Sequence, residues 1–131
     1  MKFKTLCICI SLLLVSLLFF SCTGFNRLEH IVGPYYLVEV DSKEDLSISY
    51  KTNDGDYVGK IPNIIIEYGY NDSFLIAKTK DYSDRIHYYV IDRTKDFDIA
   101  QEENFRFGPI TENEFANKWK ERLKVSMKSA N

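Results

Sequence analysis

The sequence predicts an α+β, β-dominated fold: an antiparallel sheet of about six to seven short strands with one C-terminal helix packed on it. Three observations lead there. Apolar and aromatic residues alternate with polar ones in short runs between Tyr35 and Asp92. Turn-forming clusters such as Gly33-Pro34, Asn53-Asp54-Gly55-Asp56 and Asn71-Asp72-Ser73 separate those runs at strand-length intervals. After Thr111 the apolar period changes from two to nearly four.

The chain divides into a leader at residues 1–21, a tether at 22–33 and a single β-rich domain at 34–131 with its helix at 112–128. Lys2 and Lys4 precede an apolar run, Leu6–Phe20, and the small residue Ser21 stands before Cys22. A basic start, an apolar middle of this length and a small residue before a cut are the parts of an export signal. Cleavage is expected between Ser21 and Cys22. There the stretch resembles a bacterial lipoprotein signal, in which an invariant cysteine receives a diacylglycerol. Only the last two positions of the family's four-residue box fit, because Phe19 and Phe20 stand upstream. Cys7, Cys9 and Cys22 all lie at or before the junction. The exported part would then hold one thiol, at the position to be acylated, and no disulfide. A retained N-terminal helix is the alternative, since a span needs about 20 largely apolar residues. Leu6–Phe25 reaches that length only by including Ser21, Thr23 and Gly24. Simple secretion is the other.

Cys22–Asn131 has the usual size of one domain. Without Lys2 and Lys4, the seventeen basic residues become fifteen against nineteen acidic ones, a net charge near −4. Nucleic-acid binding would need a basic face and is disfavoured. Nine tyrosines, six phenylalanines and one tryptophan remain, enough for a compact core of moderate stability.

Taken in order, Thr23–Gly33 has no strong period and serves as the tether. Tyr35–Val40 places Tyr36, Val38 and Val40 on one face. Leu46–Lys51 sets Leu46, Ile48 and Tyr50 against Ser47, Ser49 and Lys51, so this pair forms a half-buried hairpin. Asn53–Asp56 turns the chain because Asn and Gly tolerate positive φ. Tyr57–Ile61 is a short strand that Pro62 ends or places at an edge. Asn63–Tyr70 presents Ile64, Ile66, Tyr68 and Tyr70 on one face, and Phe74–Thr79 follows. In Arg85–Asp92 both faces are apolar or aromatic, which suits the middle of a sheet covered on both sides. Phe97–Ala100 and Phe105–Phe107 are short extended pieces. Thr111-Glu112-Asn113-Glu114 is a capping box, and Phe115, Trp119, Leu123 and Met127 form one helical stripe. That stripe packs on the sheet. A helix lying on a membrane is the sharper reading, but the stripe is narrow and the charges already suit the helix dipole.

From Gly33 onward the chain resembles a family of small uncharacterised bacterial lipoproteins, a domain of unknown function. The residues that carry this are Gly33-Pro34-Tyr35-Tyr36-Leu37, Gly69-Tyr70-Asn71-Asp72 leading into Phe74–Lys78, Tyr88–Asp92, and Gly108–Phe115. The resemblance implies an envelope lipoprotein with a β-rich body, facing outside the cytoplasm. It brings no activity and no catalytic residues.

Chemistry is sparse. His30 and His87 are the two histidines, and no nucleophile elbow, zinc helix motif, phosphate loop or dinucleotide fingerprint occurs. His87 with Asp84 or Asp92 is the one base-and-orienter pair to be drawn. Asn53–Asp56 and Asp92/Asp96/Asp98 offer oxygen ligands without calcium-loop spacing. No catalytic residue, metal or cofactor is assigned. Tyr68, Tyr70, Tyr88 and Tyr89 are the candidate partner-binding residues, because adjacent strand tyrosines point to opposite faces. Covering of that second face by helix and loops is the competing reading. The expected function is therefore a membrane-anchored envelope lipoprotein whose domain binds an envelope protein or an external ligand. An envelope enzyme acting on cell-wall or glycan substrates through loop carboxylates is the alternative.

Overall fold

The computed structural model describes residues 24–62, 64–97 and 102–131, with Glu102 and Glu103 described by backbone alone. Ser21 and Cys22 lie outside the described residues, as do Asp98 and the expected strand residues 98–100.

Among the described residues, nine strands form two antiparallel sheets rather than one. The first, sheet A, joins β1 (Arg27–Val32), β2 (Tyr35–Glu39), β3 (Ser47–Lys51) and β4 (Tyr57–Ile61) in chain order. The second, sheet B, contains β5 (Ile65–Tyr70), β6 (Phe74–Lys80), β7 (Ile86–Asp92), β8 (Arg106–Thr111) and β9 (Lys128–Ser129), ordered β8-β7-β6-β5-β9. The chain passes between sheets across Pro62, which has no N–H for a ladder. At the crossing the Ile65 amide donates to the Leu46 carbonyl at 2.9 Å. Arg27–Val32, expected within the tether, is β1: Gly33, at φ 53°, turns it back so that Leu28 pairs with Val38 and His30 with Tyr36.

The inward residues of both sheets meet in one core. Tyr35, Leu37 and Ile48 come from sheet A, and Leu75, Ala77 and Ile91 from sheet B. A bulge in β5 turns Ile65 and Tyr68 both toward this core, breaking the expected Ile64–Tyr70 alternation. The other face of sheet B forms a second core from Ile76, Tyr88, Val90 and Ile110. β7 is thus covered on both sides, as its pattern requires, although β6 holds the middle position.

The second core is closed by a helix. A four-residue α-helix, α1 (Glu102–Phe105), precedes β8, and the C-terminal helix, α2, follows it. α2 runs as Glu112–Glu114, a π-helical stretch Phe115–Trp119, and Lys120–Leu123. Thr111 Oγ1 accepts from the Glu114 amide at 3.2 Å. Glu114 pairs with Lys118 at 3.7 Å, leaving only one arm of the expected box. The π turn widens the helix. Phe115 and Leu123 face the sheet, and Trp119 sits at the edge against Phe107, ring centroids 5.2 Å apart. The helix ends at Leu123, not at 128, because Lys124 adopts a left-handed conformation (φ 48°). The chain then reverses, and β9 pairs with β5. Gly69 permits that return, since a Cβ there would overlap the Ser126 carbonyl oxygen and lie 2.8 Å from Val125 Cγ1.

One buried polar cluster joins the sheets. In β4 a bulge at Gly59–Ile61 opposite Ile48–Ser49 lets Lys60 and Ile61 both face inward. Lys60 Nζ lies 2.7 Å from Asp96 Oδ1, with 3% and 0% of the two side chains exposed. The Tyr35 hydroxyl donates to Asp96 Oδ2 at 2.7 Å. Burial, with that hydrogen bond second, pushes the Tyr35 phenol far above its ordinary value and keeps it a donor. The ammonium also lies 4.4 Å from the Phe105 ring centroid and 5.1 Å from that of Tyr50. Removing one member strands a buried charge. Asp96→Ala should therefore lose about 3–5 kcal/mol in urea denaturation, with much of the loss recovered in Lys60→Met/Asp96→Leu. A single variant within about 1 kcal/mol of wild type would contradict this burial.

A cleft between the C-terminal helix and the second sheet

Sheet B and α2 are not packed flush. Between them lies a cleft of about 370 Å³, within the range of small-ligand sites. Ile76 and Tyr88 form its floor, Phe115, Ala116 and Leu123 one wall, and Val125 with Met127 the other. Glu112 and Lys120, both exposed, stand on the lining as its charged groups. The Tyr88 ring stacks on Phe115 with centroids 4.0 Å apart and planes 4° apart, which fixes the first turn of the helix on the sheet. Beside the floor, Lys78 pairs with Glu67 at 3.4 Å and Glu112 at 4.0 Å. Burial works against its ammonium, but Tyr88, Glu67 and Glu112 outweigh it and hold Lys78 above its ordinary value.

Asn71 in the β5–β6 turn holds Leu123, on one wall, in place. Its Nδ2 donates to the Leu123 carbonyl at 3.2 Å, satisfying an orphan acceptor of the helix end. Its Oδ1 accepts from the amides of Ser73 and Phe74 at 3.0 and 2.7 Å, and Arg93 Nη1 donates to its carbonyl. The sequence marks Asn71 as a turn residue. That it also anchors a helix fifty-two positions away has no local signal.

The four tyrosines expected as a partner surface separate. Tyr68 is 1% exposed, its hydroxyl 3.4 Å from Glu29 Oε1 and its ring 4.9 Å from Lys128 Nζ. Tyr89 packs in the inter-sheet core with Arg106 over its ring at 5.4 Å. Tyr88 is buried but lines the cleft, and Tyr70 alone of the four is largely exposed. The four do not lie on one surface: Tyr68 and Tyr89 enter the inter-sheet core, Tyr88 lines the cleft and Tyr70 is exposed, because sheet A covers one face of sheet B and α2 the other.

His87 takes a partner other than the expected ones: its Nε2 lies 3.2 Å from Asp81 Oδ2. Asp84 instead pairs with Lys80 and Asp92 with the Thr94 turn. Asp81 also accepts from the amides of Ser83 and Arg85 and from Arg85 Nε. Led by the Arg85 amide, these bonds lower its carboxyl to about 2. The Asp81–His87 pair thus closes a turn. Asp45 likewise accepts from the amides of Val40, Asp41 and Ser42. Among the described residues no group of three or more His, Cys, Asp or Glu side chains is placed to hold a metal ion.

These features define a class: a two-sheet antiparallel domain with a helical third layer and an apolar cleft beneath the helix. The chain belongs to the family described as "Protein of unknown function (DUF3997)", whose match spans residues 32–129. Neither curated proteins nor solved structures give a match.

Because folding depresses the Asp81 carboxyl from 3.8 to about 2, its ionised form favours the folded state. That stability is fully present above the unfolded value and is lost as pH falls through the folded one. Asp81→Asn should lower Tm at neutral pH, with the difference from wild type shrinking as pH falls from 3.8 toward about 2. A difference constant over that window would show that the carboxylate's charge contributes nothing.

Proposed function

We propose that this chain is a membrane-anchored envelope lipoprotein, lipidated at Cys22 after cleavage behind Ser21, whose folded domain acts by binding rather than by turnover. The anchor rests on the basic start, the Leu6–Phe20 run, the Ser21-Cys22 junction and the confinement of all three cysteines to that region. The single observation that carries the binding reading is the helix–sheet cleft. Its apolar floor and walls with charge at Glu112 and Lys120 suit an apolar group, offered by an envelope protein or an external ligand. Tyr88, the one cleft-lining member of the tyrosine set, supplies a rigid aromatic floor. An envelope enzyme working through loop carboxylates has less support. Asp45 and Asp81 are held by backbone amides, and Asp96 is paired inside the protein.

Two measurements check the two halves. Intact mass of membrane-fraction protein should show residues 1–21 removed and an acylated Cys22, and Cys22→Ala should abolish both changes. A chain retaining residues 1–21 without lipid would end the anchor reading. For the cleft, dodecanoate serves as the probe. Calorimetry should show saturable binding that falls about tenfold or more in Ala116→Trp, whose indole fills the lining. Equal binding by a normally folded Ala116→Trp variant would remove the cleft as the site.

A further inference from the structure

The outer face of sheet A, turned away from both cores, carries a continuous row of aromatic rings. His30 and Tyr36 lie with centroids 5.0 Å apart, Tyr36 and Tyr57 5.4 Å, and Tyr57 and Phe25 5.2 Å. The row crosses the sheet from β1 to β4. Lys51 Nζ stands 5.9 Å from the Tyr57 ring. Leu28, on the same face, is 45% exposed, and Phe25 is 43% exposed. None of the outward positions in β1–β4 is acidic, in a chain whose acids outnumber its bases. Glu29 and Glu39, the acids of these strands, alternate to the other side.

The path of the chain places this face. Phe25 is not part of a free tether: its ring lies on Tyr57, and the Asn26 amide donates to the Glu39 carbonyl at 2.9 Å. Gly24 is exposed, with open space around it. Cys22 is two residues further back, and two residues of fully extended chain span no more than about 7 Å. The helix layer, by contrast, lies two packing distances from this face, each about 10 Å. A lipid on Cys22 therefore holds the sheet A side of the domain, across which Phe25 lies, near the bilayer and leaves the helix layer farther from it.

We infer that the outer face of sheet A lies on the lipid bilayer, an inference resting on acylation of Cys22. Tyr36 and Tyr57 sit at headgroup depth, where rings with an apolar body and a polar tip partition, and the wholly apolar Phe25 ring beside Tyr57 faces the acyl boundary. Lys51 faces the lipid phosphates. The opposite layer then turns outward, and the cleft beneath α2 opens away from the membrane.

The test uses the full chain, exported and processed by the cell, purified from membranes in detergent, with the mass at Cys22 measured first. The protein is reconstituted into phosphatidylethanolamine and phosphatidylglycerol vesicles containing lipids brominated near the headgroup end of the acyl chain. Trp119, the sole tryptophan, reports on the helix layer. Leu28→Trp in a Trp119→Phe background reports on the outer face of sheet A. Bromolipid should quench the Leu28→Trp reporter at least about threefold more strongly than native Trp119, given the two layers between them. Lys51→Trp in the same background is the second reporter should Leu28→Trp fail to fold. Equal or weaker quenching at sheet A in protein acylated at Cys22 would overturn the inference and leave the anchor standing. Protein without lipid on Cys22 would overturn the anchor reading and this inference with it.

Discussion

The buried contact between Lys60 and Asp96 is the constraint on which the two-sheet arrangement depends. Its ammonium and carboxylate lie 2.7 Å apart, with almost no solvent exposure. Each is tolerable inside only because the other is there. Lys60 belongs to sheet A and Asp96 to the turn that leaves sheet B, so the pair specifies how one sheet sits on the other. Tyr35 supplies a further donor, while Phe105 and Tyr50 surround the ammonium with ring faces. Arg106 Nη1 donates to the Lys60 carbonyl at 3.0 Å, tying the start of β8 to the same point. Apolar packing would favour many relative placements of two greasy sheets. A buried charge pair favours the one in which both charges are satisfied.

Around that fixed point the chain closes at its ends. Arg27 Nη1, in β1, donates to the Ala130 carbonyl at 2.6 Å. The Ala130 amide in turn donates to the Ile66 carbonyl at 3.0 Å. The last residues thus bridge an edge of sheet A to an edge of sheet B, which shields strand edges that would otherwise pair with other chains. That bridge also holds one wall of the cleft, because the segment between Leu123 and β9 supplies Val125 and Met127. The cleft is therefore a consequence of the helix stopping early. A helix continued through residue 128 would have carried its stripe across that space.

The aromatic supply is divided between two tasks. Tyr35, Tyr68 and Tyr89 are core residues whose hydroxyls or ring faces meet charged partners. Phe25, Tyr36 and Tyr57 form a ring row on the outside of sheet A. The family match covers residues 32–129 and so includes the cleft and the Lys60–Asp96 pair, while Phe25 and most of β1 precede it. The membrane-facing reading draws on both parts: Tyr36, Lys51 and Tyr57 lie within the match, and Phe25 lies at the junction that leads to Cys22.

What the sequence determined by itself was local. Short apolar runs identified β2, β3, β6 and β7 as strands, and alternation identified the inward face of β3, whereas in β2 Tyr35 and Leu37 face the core in place of the expected Tyr36, Val38 and Val40. Asn53–Asp56 identified its turn, and Thr111 identified the helix start. Each of these is a matter of a few adjacent residues and the steric limits of the backbone. Tertiary structure decided what no period encodes. Bulges in β4 and β5 turned Lys60 and Tyr68 inward, and Pro62, which ends the edge strand β4 as its chemistry requires, also became the passage between two sheets. Arg27–Val32, with mixed polarity, became a strand because Tyr35–Glu39 offered it an unpaired edge. The tyrosines lost their expected common surface because covering layers came from residues distant in the chain. Lys60 meets Asp96 across 36 positions and Arg27 meets Ala130 across 103. Contacts over such separations are selected by the burial of the whole chain, and no window of neighbouring residues contains them.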